Sequence, residues 1–348
     1  MFIARFIKYN TPLYKKISGK IKALDNFFLM RPILFFPVWI MTLAGISAAN
    51  GFVVEELWWS TNIDWLGVMF FLGLTLITST TFIQGQILHQ DRDRINQNNL
   101  LIYQKIISEE KARSVANLTI ITGMVIIVSS LFIASIIRNE SIFFTLVWVF
   151  LLYGVWGILF YQGKFLWSMK PILETIGNGL AGLFLFMVGW TYAGGELMTG
   201  LIQSIPYVSA FIAVSILTSI PDRVGDEQTN KVTFAIKYGD GTTLAIGTLL
   251  ICLSTVLGYK FTDPVISTAS IITLPFFLVA LILRKPRHVL WSIRYPILIL
   301  GIFVGVRYPW FFVPLIINFY LMRHYYYFRF GVIYPSFSEM PSQPLSHD

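Results

Sequence analysis

Two polar stretches of this chain carry the residues with chemistry to offer. The segment from Pro221 to Asp240, PDRVGDEQTNKVTFAIKYGD, places Asp222 and Asp226 four residues apart. On a helix that spacing puts both carboxylates on one face, where like charges repel. A divalent cation removes the repulsion, and Mg2+ commonly sits on one or two carboxylates while keeping water and substrate phosphate as its other ligands. Arg223, Lys231 and Lys237 follow closely and can meet the same phosphates. The competing reading is a solvated loop whose mixed charges merely mark one face of the protein.

The second stretch, from Gln84 to Arg113, reads QGQILHQDRDRINQNNLLIYQKIISEEKAR. Gly85, His89 and Asp93 share a helical face by the same spacing, with Gln86 adjacent and Asp91 pointing elsewhere. His89 is a metal ligand, a phosphate donor, a base, or an ordinary polar residue at a helix end. The alternation Asp91, Arg92, Asp93, Arg94 also reads as a self-compensating charged cap. No nucleotide-binding glycine loop, zinc-ligand spacing or serine nucleophile elbow occurs anywhere in the sequence.

The elements that must position these loops are transmembrane helices. Of 348 residues, 13% are charged and 55% hydrophobic, and the mean hydropathy is +0.68, far from the roughly quarter-charged balance of soluble domains. Runs such as Ala116 to Ile137 are mostly apolar and lack the alternation of barrel strands. Spanning a bilayer as a helix takes about 20 such residues. Suitable runs fall near 27–50, 64–88, 115–137, 142–160, 172–193, 199–220, 241–259, 264–283 and 295–322. The fold expected is an all-α membrane protein, a bundle of about nine transmembrane helices. The last run holds Arg307 and prolines 296, 309 and 314, and reads as one kinked helix or two short ones. Three regions follow: a basic arm over 1–26, the bundle over 27–325 and a polar tail over 326–348.

Lys and Arg concentrate in the N-terminal arm and the even-numbered loops; the intervening loops hold only Arg138 and Lys260. That asymmetry predicts an integral multi-pass membrane protein with its N-terminus and both acidic loops cytoplasmic. The net charge of +8 is then a topology signal with some attraction to membrane lipid, and implies no nucleic acid. No cleavable signal peptide is expected. The single cysteine, Cys252, reads as a packing residue. Asp93 and Asp226 lie 133 residues apart, each after an apolar helix, so the two halves repeat one plan four helices apart.

Together these features resemble the UbiA family of intramembrane prenyltransferases. Arg31 and Pro32 open the first helix, QILHQDRDRIN follows the second where that family carries N-x-x-x-D-x-x-x-D, and DRVGDEQTNKVTFAIKYGDG follows the sixth and is similar to its second motif. The second motif is intact as Asp222, Asp226, Lys231, Thr233 and Gly239. In the first, Gly85 stands at the family's Asn and His89 at its first Asp, so Asp93 alone remains; Gln86, His89 and Asp91 would make up a modified first motif. The resemblance implies a UbiA-like bundle in which Asp93, Asp222 and Asp226 hold Mg2+ and carry the chemistry. Arg31, Lys164, Lys170, Arg223 and Lys231 would bind the diphosphate of a prenyl diphosphate, and a lipophilic acceptor would receive the prenyl group. Asn178, in GNGLAG of the fifth span, would line the cavity or merely accompany close helix packing. The alternatives are a diverged homologue that binds isoprenoid lipid or a membrane partner without catalysis, and a small-solute transporter. The ionisable residues gather at one face rather than at mid-membrane, which disfavours the transporter.

Overall fold

The computed structural model describes residues 21–51, 64–96, 100–138, 142–162 and 164–335, and among these all regular structure is helical. Most of the basic arm (1–20) and the end of the tail (336–348) lie outside the described residues. Ten longer helices follow in order: α1 Phe35–Ala49, α2 Trp65–Leu88, α3 Glu109–Arg138, α4 Phe143–Leu152, α5 Pro171–Tyr192, α6 Leu197–Leu217, α7 Asp240–Lys260, α8 Pro264–Leu283, α9 Pro286–Arg307 and α10 Phe312–Phe330. Among the described residues eight helical segments are long and apolar enough to cross a membrane, and α4 with its extension to Leu159 is a shorter apolar helix. The expected count of about nine is close to this, and the protein is an integral, multi-pass membrane protein.

The run at 295–322 resolves into two helices. Tyr308 precedes Pro309 and adopts φ −126°, ψ 77°, because the proline ring disfavours helical backbone in the residue before it. Thus α9 stops at Arg307, whose guanidinium donates to the Gly51 carbonyl at 2.8 Å. Pro314 falls in the first turn of α10, where no donor is missed. That helix runs to Phe330, beyond the expected start of the tail at 326. It is tied back to the start of the bundle: Tyr325 Oη and Arg329 both donate to Asp25, and Asn318 Nδ2 donates to Pro32 O at 2.8 Å.

Membrane helices gain little from burying leucine against lipid-like neighbours, so close packing relies on small residues. At the centre, α1 and α5 cross with Gly45 against the Phe186 backbone and Gly189 against the Thr42 carbonyl, so close that neither position admits a Cβ. Gly73 of α2 and Gly123 of α3 pack against each other's backbones in the same manner. Around the first crossing lies a core that includes Met41, Leu43, Leu185, Phe186 and Tyr207. Corresponding elements of the two halves therefore meet, α1 with α5, and the short helix after α2 (Gln90–Ile95) with the short helix after α6 (Arg223–Gln228).

Gly189→Ala should force α1 and α5 apart and cost about 3 kcal/mol of stability, the upper end for overpacking a tight core. Thermal unfolding of detergent-solubilised protein reads this as a midpoint several degrees lower; a wild-type midpoint would contradict the crossing.

Candidate active site

The site forms where the two short helices dock. Asn96 stitches them: its Nδ2 donates to the Asp222 carbonyl at 3.1 Å and its Oδ1 accepts the Gly225 amide at 3.0 Å. A Cβ on Gly225 would stand 2.6 Å from the Asn96 side-chain amide, so any larger residue there would displace that amide from its bonds. Docking brings Asp93 and Asp226, 2% and 1% exposed, to opposite sides of one guanidinium. Arg92 Nη2 lies 3.0 Å from Asp93 Oδ1, and Arg92 Nη1 lies 3.8 Å from Asp226 Oδ1. Lys231, itself buried, stands 3.9 Å from the same Asp226 oxygen and donates to Glu174 Oε1 of α5 at 2.9 Å.

These distances leave Asp226 Oδ1 buried without a hydrogen-bond donor. Burial pushes the Asp226 carboxyl up to about 6, with Asp222 adding to the rise and Lys231 and Arg92 opposing it. Asp222, one turn earlier, accepts the Asp226 amide through its carbonyl at 3.1 Å. Arg92 is disfavoured by burial, yet Asp93, Asp222 and Asp226 outweigh that and raise its pKa. Four carboxylates therefore share two cations, one buried and one largely enclosed, and the guanidinium stays charged throughout the physiological range.

The weakened first motif has been refilled with rings. A Cβ on Gly85 would meet the Tyr161 ring at 3.0 Å, so the aromatic side chain lies where a larger residue at 85 would stand. Tyr161 also meets His89 edge to face, with centroids 6.2 Å apart. Burial, with smaller contributions from Arg92 and Lys231, lowers the His89 pKa to about 2. His89 is thus a neutral imidazole, not a cationic phosphate partner, and its buried Nε2 has no hydrogen-bond partner. Deeper along the same wall Phe82 packs edge to face on Trp156 at 5.5 Å. Trp156 sits in a π-helical turn, Tyr153–Leu159, that continues α4; such turns recur at functional sites. Its Nε1 donates to Asn178 Oδ1 at 3.1 Å, so Asn178 positions an aromatic ring in addition to lying in a glycine-rich helix.

Several expected participants are engaged elsewhere. Gln86 donates to the Leu29 and Phe82 carbonyls at 2.7 and 3.2 Å, a structural tie to the segment before α1. Asp91 is 81% exposed and pairs with Arg94, pointing outward as its spacing implies. Arg223 pairs with Glu227 at 2.7 Å and Asp240 at 3.3 Å, away from Asp226. Lys164 and Lys170 are exposed and make no ion pair among the described residues. Arg31, in left-handed backbone at φ 55°, lies close enough to Tyr161 and Tyr334 to lower both their pKa values against the effect of burial. Sequence reasoning missed Arg92, Asn96, Tyr161 and Glu174. The signal for Tyr161 was present: a glycine at an expected asparagine leaves volume that another side chain must fill. Arg92 was hidden in an alternation that reads equally well as a surface cap.

A model of the UbiA prenyltransferase family matches residues 35–303, and the chain belongs to that family. Among solved structures it is similar to a UbiA homolog from Archaeoglobus fulgidus bound to GPP and Mg2+, with a TM-score of 0.60 at 14% identity, covering 82% of this chain and 98% of that one. The same homolog bound to DMAPP and Mg2+ gives 0.59 at 15%, covering 83% and 99%. A structural study of digeranylgeranylglyceryl phosphate synthase in membranes gives 0.54 at 17%, covering 82% and 97%. Likeness at such identities is one of fold. No curated protein matches the sequence closely enough to count as a relative.

The two shifted groups act on stability with opposite sign. His89, depressed from 6.5 to about 2, favours folding above pH 6.5, and that contribution is lost as pH falls below it. Asp226, raised from 3.8 to about 6, disfavours folding above pH 6, and that penalty is relieved as pH falls from 6 towards 4. The two slopes, each about 1.4 kcal/mol per pH unit for one proton, oppose each other between pH 6 and 4. Across that window His89→Asn should gain stability on acidification and Asp226→Asn should lose it. Melting curves of both variants at pH 6 and pH 4.5 check this; shifts of the same sign would refute the assignment.

Proposed function

We propose that this protein transfers a prenyl group from an allylic diphosphate to a lipophilic acceptor, using Mg2+ bound at the Asp93, Asp222 and Asp226 carboxylates. The observation that carries the reading is Asp226, a buried carboxylate oxygen without a donor, set beside Asp93 and buried cations in a bundle of the UbiA family. Among the described residues no three His, Cys, Asp or Glu side chains are grouped to hold a metal by themselves. Mg2+ needs fewer, since water and substrate phosphates complete its shell, so the donor set fits.

The residues divide the work by chemistry. Bound Mg2+ would neutralise charge developing on the diphosphate as the carbon–oxygen bond breaks. Lys231 and Arg92 add fixed positive charge beside the same leaving group. The hydrocarbon tail would run inward from the acidic mouth along Phe82 and Trp156, where apolar and aromatic faces exclude water from an allylic cation. The acceptor then forms the new bond to carbon and gives up a proton. Neutral His89, with an unpartnered nitrogen, can hydrogen-bond within this site without adding charge.

A second reading, a diverged binder of isoprenoid lipid, is favoured by the absence of a carboxylate at position 89 and of an amide at 85. The variants separate the two. Asp226→Ala should lower Mg2+-dependent diphosphate release from a prenyl diphosphate about a thousandfold, several kcal/mol of transition-state stabilisation. His89→Asp should raise Mg2+ affinity or turnover in an enzyme and do neither in a binder. Wild-type release by Asp226→Ala would sink the catalytic assignment while leaving the family untouched.

We further propose that the acidic mouth faces the cytoplasm, supported by the bias of Lys and Arg to its loops. A cysteine placed at Gln228, with Cys252 replaced by serine, should react with an impermeant maleimide only when the cytoplasmic face is open. Labelling confined to intact cells from outside would reverse the orientation.

A further inference from the structure

Arg92 occupies the centre of the site, yet neither acidic motif includes it. Its guanidinium faces Asp93 Oδ1 through Nε and Nη2, at 3.3 and 3.0 Å. Its Nη1 lies 3.8 Å from Asp226 Oδ1, too far for a hydrogen bond. The side chain is 14% exposed, which is enclosed for an arginine but open enough to meet a ligand entering the mouth. A guanidinium is a permanent cation with a planar fork of donors that matches phosphate oxygens. Here the fork is already oriented by Asp93, and a second buried cation, Lys231, stands 3.9 Å from the same Asp226 oxygen.

The charge balance of the site gives this placement a consequence. The carboxylates that would draw in a metal are the ones that hold Arg92 in place, so a divalent cation and the guanidinium compete for shared oxygens. Position 89, one turn before Asp93, carries a neutral imidazole. Each feature weakens the pull on a metal, and neither weakens the pull on an anion.

We propose that Arg92 is a resident diphosphate anchor: held between Asp93 and Asp226, it lets this site grip the diphosphate of its substrate through protein cations, with Mg2+ adding to a grip that already exists. This rests on the prenyl diphosphate reading above. On arrival of the diphosphate, Arg92 keeps its bonds to Asp93 and turns its Nη1 edge from Asp226 to a phosphate oxygen. The Asp226 carboxylate, no longer facing the guanidinium charge, would then hold a metal more strongly. Arg92 thus binds the leaving group directly and also regulates when Asp226 becomes a ligand.

The test is binding of geranyl diphosphate to the full chain in nanodiscs, by calorimetry, with EDTA or with saturating Mg2+. Wild type should bind in EDTA within about tenfold of its affinity in Mg2+, because charge-assisted hydrogen bonds from protein cations to phosphate are strong without metal. Arg92→Gln should lose about a hundredfold in EDTA and much less in Mg2+. With one positive charge removed beside its ligands, Mn2+ measured by its free-ion paramagnetic signal should bind Arg92→Gln about tenfold tighter or more. Arg92→Lys keeps the charge without the fork and should retain metal-free binding, weakened about tenfold; it serves if the glutamine variant does not fold. Release of geranyl diphosphate from wild type by EDTA, restored by Mg2+, would overturn the anchor and leave the prenyl diphosphate reading intact. Unchanged Mn2+ affinity in Arg92→Gln would also count against it. No binding by wild type even with Mg2+ would remove both.

Discussion

A carboxylate carried out of water needs a positive charge beside it or a proton on it. Asp226 is the point at which this protein meets that requirement, and much of the acidic mouth is arranged around it. Arg92 approaches from the first half of the chain, Lys231 closes back from the second, and Glu174 of α5 holds the lysine in place. Neither cation comes within hydrogen-bond distance of Asp226 Oδ1. The carboxylate is electrostatically supported yet coordinatively open, the condition expected of a group whose proper partner comes from outside the chain. Full pairing would make it a structural ion pair, and no support at all would leave it protonated.

Helix packing far from the site makes that balance possible. The α1–α5 crossing is so close that backbone touches backbone at Gly45 and Gly189, and the two halves of the bundle are thereby held at one spacing. Loops rising from α2 and α6 then arrive near enough for a single asparagine, Asn96, to bond both ends of the opposing turn. Gly225 contributes only by lacking a side chain. A bulkier residue there would push the Asn96 amide out of its two bonds to the opposing turn.

Loss of carboxylate from the first motif has been answered by repacking as well as by charge. Gly85 and Tyr161 exchange volume, His89 takes an aromatic neighbour and stays neutral, and the wall continues through Phe82 and Trp156. The altered motif is therefore an organised surface with less negative charge than the aligned family motif would carry.

The amino-acid sequence by itself determined the solvent, the helices and the family. Long apolar runs can satisfy their backbone only as membrane helices, the prolines of the last run mark it as kinked or broken, and Asp222 and Asp226 at helical spacing mark the second loop. Those properties are local, so order along the chain is enough to read them. Which charges meet was decided by tertiary structure alone. Nothing in the spacing of Asp91, Arg92, Asp93 and Arg94 distinguishes the pair that turns outward, Asp91 with Arg94, from the pair that turns inward. The inward pair finds Asp226 more than a hundred residues away, and that encounter depends on two glycine crossings and one asparagine. Likewise Arg223 adjoins Asp222 in sequence but pairs with Glu227 and Asp240 in space. Coulomb energy depends on distance and burial, and neither exists until the helices have packed.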